Sequence, residues 1–202
     1  MASRFFVPVL RRGGLAQSSR ISRPTCLVCC AGLSLSTTCA DDDEKYVLTK
    51  EEIESWSGVE KTHFLNPKAQ RRNKSLGDLT GLKGLGFHII EIEPGFDSTE
   101  FHVHYHEEEC IYVLAGTADA IVGDETFKVK EGDFIGYRAA GKPHMLVNTG
   151  DSTLKCIVVG QRLDHDVGDY PSLKKRIYRH KGLKWNLVDH EHINDNFTAG
   201  KK

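Results

Sequence analysis

Between Phe87 and Gly160 the chain is cut into short β-prone runs at near-regular intervals, and this punctuation limits its fold more than any other feature. FHIIEIE stops at Pro94-Gly95, and EFHVHYH, ECIYVLAG and TADAIV follow. Gly123-Asp124 turns into ETFKVK, Glu131-Gly132-Asp133 into FIGYR, and Ala140-Gly141-Lys142-Pro143 into HMLVN. Gly150-Asp151 then turns into TLKCIVVG. β-Branched and aromatic residues favour a pleated backbone, while Gly, Asp and Pro supply the reversals. Seven or eight such strands with no helical pattern between them predict an all-β sandwich or small antiparallel barrel. No internal repeat divides the segment, so one barrel is expected and not two.

Upstream, Thr49 stands three residues before Glu52, the spacing of a capping box, and Ile53 and Trp56 lie about one turn apart. A short helix is predicted from Lys50 to Ser55, with Gly58 behind it as a stop. Residues 63–85 read as a polar loop, in which Arg71, Arg72 and Lys74 are expected to face water. No aromatic residue interleaves these charges, which argues against nucleic acid. The Gly-rich stretch near residue 80 lacks the GK[ST] ending of a phosphate-cradling loop. After Gly160 the chain is polar, with edge strands expected at Arg176–Tyr178 and Lys184–Val188 and a frayed end from Asn194.

Charge divides the 202 residues unevenly. Residues 1–40 carry five arginines and no acid, so the formal net charge of −1 leaves −6 for the remainder. An Arg- and Ser-rich, acid-free N-terminus predicts a transit peptide, most simply mitochondrial; another organelle or a cytosolic tail is the alternative. Four of the six cysteines (Cys26, Cys29, Cys30, Cys39) fall there, leaving Cys110 and Cys156 as expected reduced thiols. No run of eighteen apolar residues exists, so no membrane span is expected. The predicted organisation is a leader at 1–40, a linker and short helix at 41–74, a barrel at 75–170 and a C-terminal extension at 171–202.

The chemistry concentrates in EFHVHYHEEEC. His102, His104 and His106 alternate, so on a strand they share a face, neighbours about 7 Å apart. Imidazoles at that spacing can converge on one ion. Glu109 opens the next strand and His144 another, so both are available as further ligands. Glu107 and Glu108 read as solvated turn residues. On strand parity Cys110 and Tyr112 point away from Glu109, and at most one of His88 and Glu91 looks inward.

With these residues in view, the stretch Gly95–Gly116 resembles the first motif of the cupin superfamily: His102-Val103-His104, four residues, Glu109, six residues, Gly116. Gly132, Gly141, two residues, His144, three residues and Asn148 resemble its second motif. Two departures are a gap from Gly95 to His102 one residue longer than usual and Ala139 where a proline is expected. HVHYHEEECIYVLAG is especially similar to stand-alone, single-domain bacterial cupins.

The resemblance implies a single jelly-roll (double-stranded β-helix) barrel and one divalent metal held by His102, His104, Glu109 and His144. His106 competes for a ligand position but breaks the family's gap to Glu109, and it is expected at the rim. Three imidazoles and one carboxylate suit Fe, Mn, Ni, Co or Zn. His106, Tyr137 and Arg138 are the candidates to touch substrate, and no general base is identified. A metal-dependent enzyme acting on a small molecule is expected, either a dioxygenase or a redox-neutral isomerase, decarboxylase or lyase. The alternative is a non-catalytic cupin that binds a sugar or other metabolite. The family also implies a homodimer.

Overall fold

The computed structural model describes residues 45–194; the expected leader, residues 41–44 of the expected linker and residues 195–202 of the expected frayed end lie outside the described residues. Helix α1 (Lys50–Ser55) forms with both halves of its capping box. The Glu52 amide donates to Thr49 Oγ1 at 3.2 Å, and the Thr49 amide donates to Glu52 Oε2 at 2.8 Å. A single-turn helix, α2, spans Leu76–Leu79.

The strands are β1 (Val59–His63), β2 (Asn66–Ser75), β3 (Leu85–Ile92), β4 (Val103–His104), β5 (Glu109–Ala115), β6 (Thr117–Val122) and β7 (Glu125–Lys130). They continue with β8 (Phe134–Tyr137), β9 (His144–Val147), β10 (Leu154–Gln161), β11 (His165–Tyr170), β12 (Lys175–His180) and β13 (Asn186–Asp189). They make three antiparallel sheets, ordered β1-β2-β3-β10-β5-β8, β13-β12-β11-β4 and β7-β6-β9. The expected all-β class is what the molecule adopts. The expected edge strands of the tail are β12 and β13, and they extend the sheet that contains β4.

The segment expected as a polar loop is the strand β2, paired with both β1 and β3. Its alternation is polar on both faces, so no apolar period betrays it. Arg71 turns inward to a cavity, while Arg72 faces out to Glu60 at 2.8 Å and Glu91 at 3.6 Å. Lys74 is buried and donates to the Ile53 carbonyl at 2.7 Å, tying α1 to the sheet.

One face of the six-stranded sheet changes character along its strands. Ile92 and Ile90 on β3, Val113 and Ile111 on β5, and Leu154 and Cys156 on β10 pack with Ala118, Ala120, Val129 and Leu146 from the three-stranded sheet. Removing these side chains from water is the main stabilising term, about 25 cal/mol per Å² of apolar surface. Two residues further along the same face, β3 presents His88 and β5 presents Glu109. There the opposing wall is the β4-β11-β12 sheet, and a cavity of about 350 Å³ replaces the core.

Close approaches hold the apolar end shut. Gly116 has φ +84°, and a Cβ there would sit 3.0 Å from the Thr153 carbonyl oxygen, so only glycine fits without strain. Asn148 is fully buried; its amide donates to the carbonyls of Ile92 at 2.7 Å and Ser152 at 2.9 Å. Cys110 and Cys156 are free thiols. No helix among the described residues is long and apolar enough to cross a membrane.

Candidate metal centre and its cavity

β4 is only two residues long, and its brevity decides where the histidines point. His102 precedes it and exchanges backbone hydrogen bonds with His144, the first residue of β9 (2.7 and 3.2 Å). His104 ends it against Gly168 of β11. The chain then leaves strand geometry, so the parity shared by three histidines holds only for two. His106 is exposed, its ring 5.9 Å from His165, and it does not line the cavity.

The rings of His102 and His104 line the cavity, and the ring of His144 packs against His102 without lining it. Centroids lie 4.8 Å apart for His102 and His104, and 4.7 Å for His102 and His144. Glu109 stands beside them, Oε1 being 4.0 Å from His144 Nε2. The four residues of the expected ligand set are thus linked through pairwise contacts, but among the described residues the group whose ligand atoms all lie within 4.8 Å of one another is a different one.

The remaining ring nitrogens reveal which atoms are free to ligate. A carbonyl oxygen only accepts, so a ring nitrogen facing one must carry the proton. His102 Nδ1 faces the Glu100 carbonyl at 2.8 Å, and His144 Nδ1 faces the Lys142 carbonyl at 3.3 Å. His104 Nδ1 lies 2.7 Å from Asp166 Oδ2 and also 3.4 Å from Arg179 Nη2. The shorter, charge-assisted contact prevails, because Arg179 is already committed to carboxylates. His102 and His144 therefore keep Nε2 as the ring nitrogen free to ligate, and His104 turns its Nε2 toward His102. His102 and His104 Nε2 are 3.1 Å apart, and His144 Nε2 is buried with no partner. Lone pairs so placed repel unless a proton or a metal ion lies between them.

Burial holds the rings of His102 and His144 neutral. It draws His144 down to about 4, and His102 well below the usual imidazole value, with the neighbouring histidines adding to the effect. Burial likewise raises the Glu109 carboxyl, opposed by His104 and Arg71.

A second grouping surrounds His104. It brings ligand atoms of His104, Glu107 and Asp166 within 4.8 Å of one another, a triad that could hold a metal. A cation is already present there: Arg179 donates to Glu107 and, at 2.6 Å, to Asp166. The two carboxylates also accept backbone N–H bonds, Asp166 from His106 at 3.0 Å and Glu107 from Leu163 at 2.9 Å. Asp166 is held well below the usual carboxylate value; burial opposes this, but His104 and Arg179 outweigh it.

Glu107 corrects the expectation of a solvated turn residue. It is 7% exposed and ion-paired, while Glu108 is exposed as expected. Its partner Arg179 lies seventy-two residues on, beyond any local pattern. Asp166 and Arg179 were missed as site residues for the same reason; the only hint was the density of charge in QRLDHDVGDYP and KRIYRH.

Of the other substrate candidates, Tyr137 stacks on His144 with centroids 3.6 Å apart and nearly parallel planes, its hydroxyl buried without a partner. It packs behind the ring and does not line the cavity. Arg138 is exposed and, with Tyr137, borders a separate depression beside Cys110. His88 does face the cavity, and Glu91 faces out to Lys155 at 3.2 Å.

The molecule has relatives that share this frame. The cupin domain family model matches residues 88–160. A crystal structure of a "Putative sugar phosphate isomerase" from Acidithiobacillus ferrooxidans superposes with a TM-score of 0.73 at 48% identity, covering 76% of this chain and 97% of that one. A sugar phosphate isomerase of the cupin superfamily from Silicibacter pomeroyi has a TM-score of 0.61 at 22% identity, covering 67% and 88%; that likeness concerns the fold alone. An uncharacterized protein of Methanocaldococcus jannaschii is 38% identical over 76 residues, 37% of this chain, and the match spans 60% of that protein's length.

Proposed function

The chain belongs to the cupin superfamily, and from that premise we propose that it is a metal-dependent enzyme that isomerises a small phosphorylated sugar. His102, His104 and His144 hold one divalent ion through Nε2, and Glu109 completes the set with its carboxylate. The observation supporting this is the clustering of the four side chains: His102 and His104 Nε2 are 3.1 Å apart, and His144 Nε2 is buried without a partner, 4.0 Å from Glu109 Oε1. The His104–Glu107–Asp166 triad is assigned to support, since Arg179 already neutralises its carboxylates. Asp166 orients His104 and raises its basicity as a ligand.

When bound, the metal supplies a Lewis acid that stabilises negative charge on a carbonyl oxygen. The chain's own residues supply the rest. Sugar isomerisation moves a proton between adjacent carbons, which needs an unprotonated base within the cavity. His63 and His88 both line it, and burial lowers both, so each is a neutral imidazole at pH 7. The description of the Acidithiobacillus relative as a "Putative sugar phosphate isomerase" favours isomerisation over the dioxygenase and decarboxylase alternatives.

Elemental analysis of the wild type and His144→Ala, with proton exchange from solvent deuterium into aldose and ketose phosphates followed by NMR, tests this. One metal per chain and exchange that His144→Ala abolishes are expected. A metal-free wild type, or oxygen consumption in place of exchange, would overturn it. A mitochondrial location and a homodimer are proposed alongside; the native N-terminus and light scattering test them.

A further inference from the structure

We propose that Lys61 and Arg71 form an anion subsite that grips the phosphate of the substrate on the β1–β2 wall of the cavity; this rests on the reading of that cavity as a substrate pocket. The two residues are directly paired across β1 and β2, so their side chains emerge together on one face. Both line the cavity. Like charges directly opposite on a ladder are destabilising unless an anion lies between them, and among the described residues no carboxylate pairs with either.

The contrast with the outer face of the same sheet is informative. There Arg72 has Glu60 and Glu91, and Lys155 has Glu91. Arg72 and Lys155 are thus each given an acid, whereas among the described residues Lys61 and Arg71 are given none. Among the described residues the one acidic side chain lining the cavity is Glu109, beside the ligand histidines.

Arg71 is also built to stay in place. One nitrogen of its guanidinium donates to the Ser98 carbonyl, which fixes the planar fork and leaves further N–H groups for a ligand. Its burial among cavity residues lowers its pKa, with Glu109 opposing the effect, so an incoming dianion would relieve the uncompensated charge. Tyr170 lies 5.7 Å from His63 beside the cationic pair and 6.3 Å from His102, ring centroid to centroid. One aromatic ring therefore contacts both His63, next to the cationic pair, and His102, so a ligand held by Arg71 and Lys61 lies against the same ring as a candidate ligand histidine.

The test uses the full chain loaded with manganese, with metal content measured on every preparation. Inorganic phosphate, ribose 5-phosphate, ribose and acetate are titrated by calorimetry into wild type, Lys61→Met, Arg71→Met and Arg71→Lys. The wild type is expected to bind ribose 5-phosphate and phosphate far more tightly than ribose or acetate. Lys61→Met and Arg71→Met should each weaken phosphate binding about tenfold or more at unchanged metal content, and Arg71→Lys less. Lys61 is exposed, so its variant keeps the test valid if Arg71→Met fails to fold. Phosphate binding that is absent in the wild type, or unmoved by Lys61→Met and by both Arg71 variants, would overturn the subsite even with metal and turnover intact. Acetate bound as tightly as phosphate would also overturn it, pointing to a carboxylate ligand. Loss of metal or turnover with phosphate binding retained would instead sink the isomerase reading and leave the subsite standing.

Discussion

His102 Nε2 and His104 Nε2 lie 3.1 Å apart while each ring's other nitrogen faces an acceptor, the Glu100 carbonyl and the Asp166 carboxylate. Two imidazoles would not choose that arrangement in isolation. It is held from outside, by β4 pairing with β11 and by the bridge between His102 and His144.

Asp166 is the outside group most directly coupled to His104. Asp166→Asn keeps the shape but weakens the acceptor, and metal affinity should fall by about 10–100-fold. Competition with a chromophoric chelator measures this. Affinity equal to wild type would confine Asp166 to folding.

Arg179 holds Glu107 and Asp166, which are 7% and 1% exposed. Arg179→Met strands two buried carboxylates and should destabilise the protein by about 3 kcal/mol. Adding Glu107→Gln should recover part of the loss, since one stranded charge is then gone. Urea unfolding of the two single variants and the double variant gives the coupling; strict additivity would mean that the pair does not interact.

His63 makes stability fall in mild acid. Burial, with Arg71 nearby, lowers it to about 4, and its Nδ1 accepts from the Leu65 amide, which also favours the neutral ring. The unfolded chain takes up a proton near pH 6.5, before the folded one does. The contribution is therefore complete above that value and is lost as pH falls from 6.5 to about 4, by at most about 1.4 kcal/mol per pH unit. Unfolding free energies across that range should show a shallower slope in His63→Asn. An identical slope would assign the acid sensitivity to other groups.

Leu146 is fully buried between the sheets, away from the cavity. Leu146→Ala should cost about 2–5 kcal/mol. Metal content per folded chain should not change, because the core and the site occupy different stretches of the same strands. Calorimetric unfolding and elemental analysis separate the two effects; loss of metal at temperatures where the variant is folded would show that they are coupled.

Much of this was legible along the chain because the relevant physics is local. Turn residues mark the strands from β3 to β10, and the capping box marks α1. The His102, His104, Glu109 and His144 spacing singles out four residues that the fold links through pairwise contacts. The polar face of β2 was not legible, since a strand that lines a wet cavity shows no apolar alternation. Nor was the end of the shared histidine parity at His104, because the pairing partners of β4 decide how long it runs.

By itself, then, the sequence determined an all-β frame and the residues with the chemistry to ligate, through backbone preference and spacing that operate within a few residues. Only the tertiary structure decided that Glu107 is buried against Arg179, that Asp166 orients His104, and that Arg71 opposes Lys61 without an acid. The first two relationships join residues at least sixty-two positions apart, and the third depends on the β1–β2 register, so each exists only once the sheets have formed.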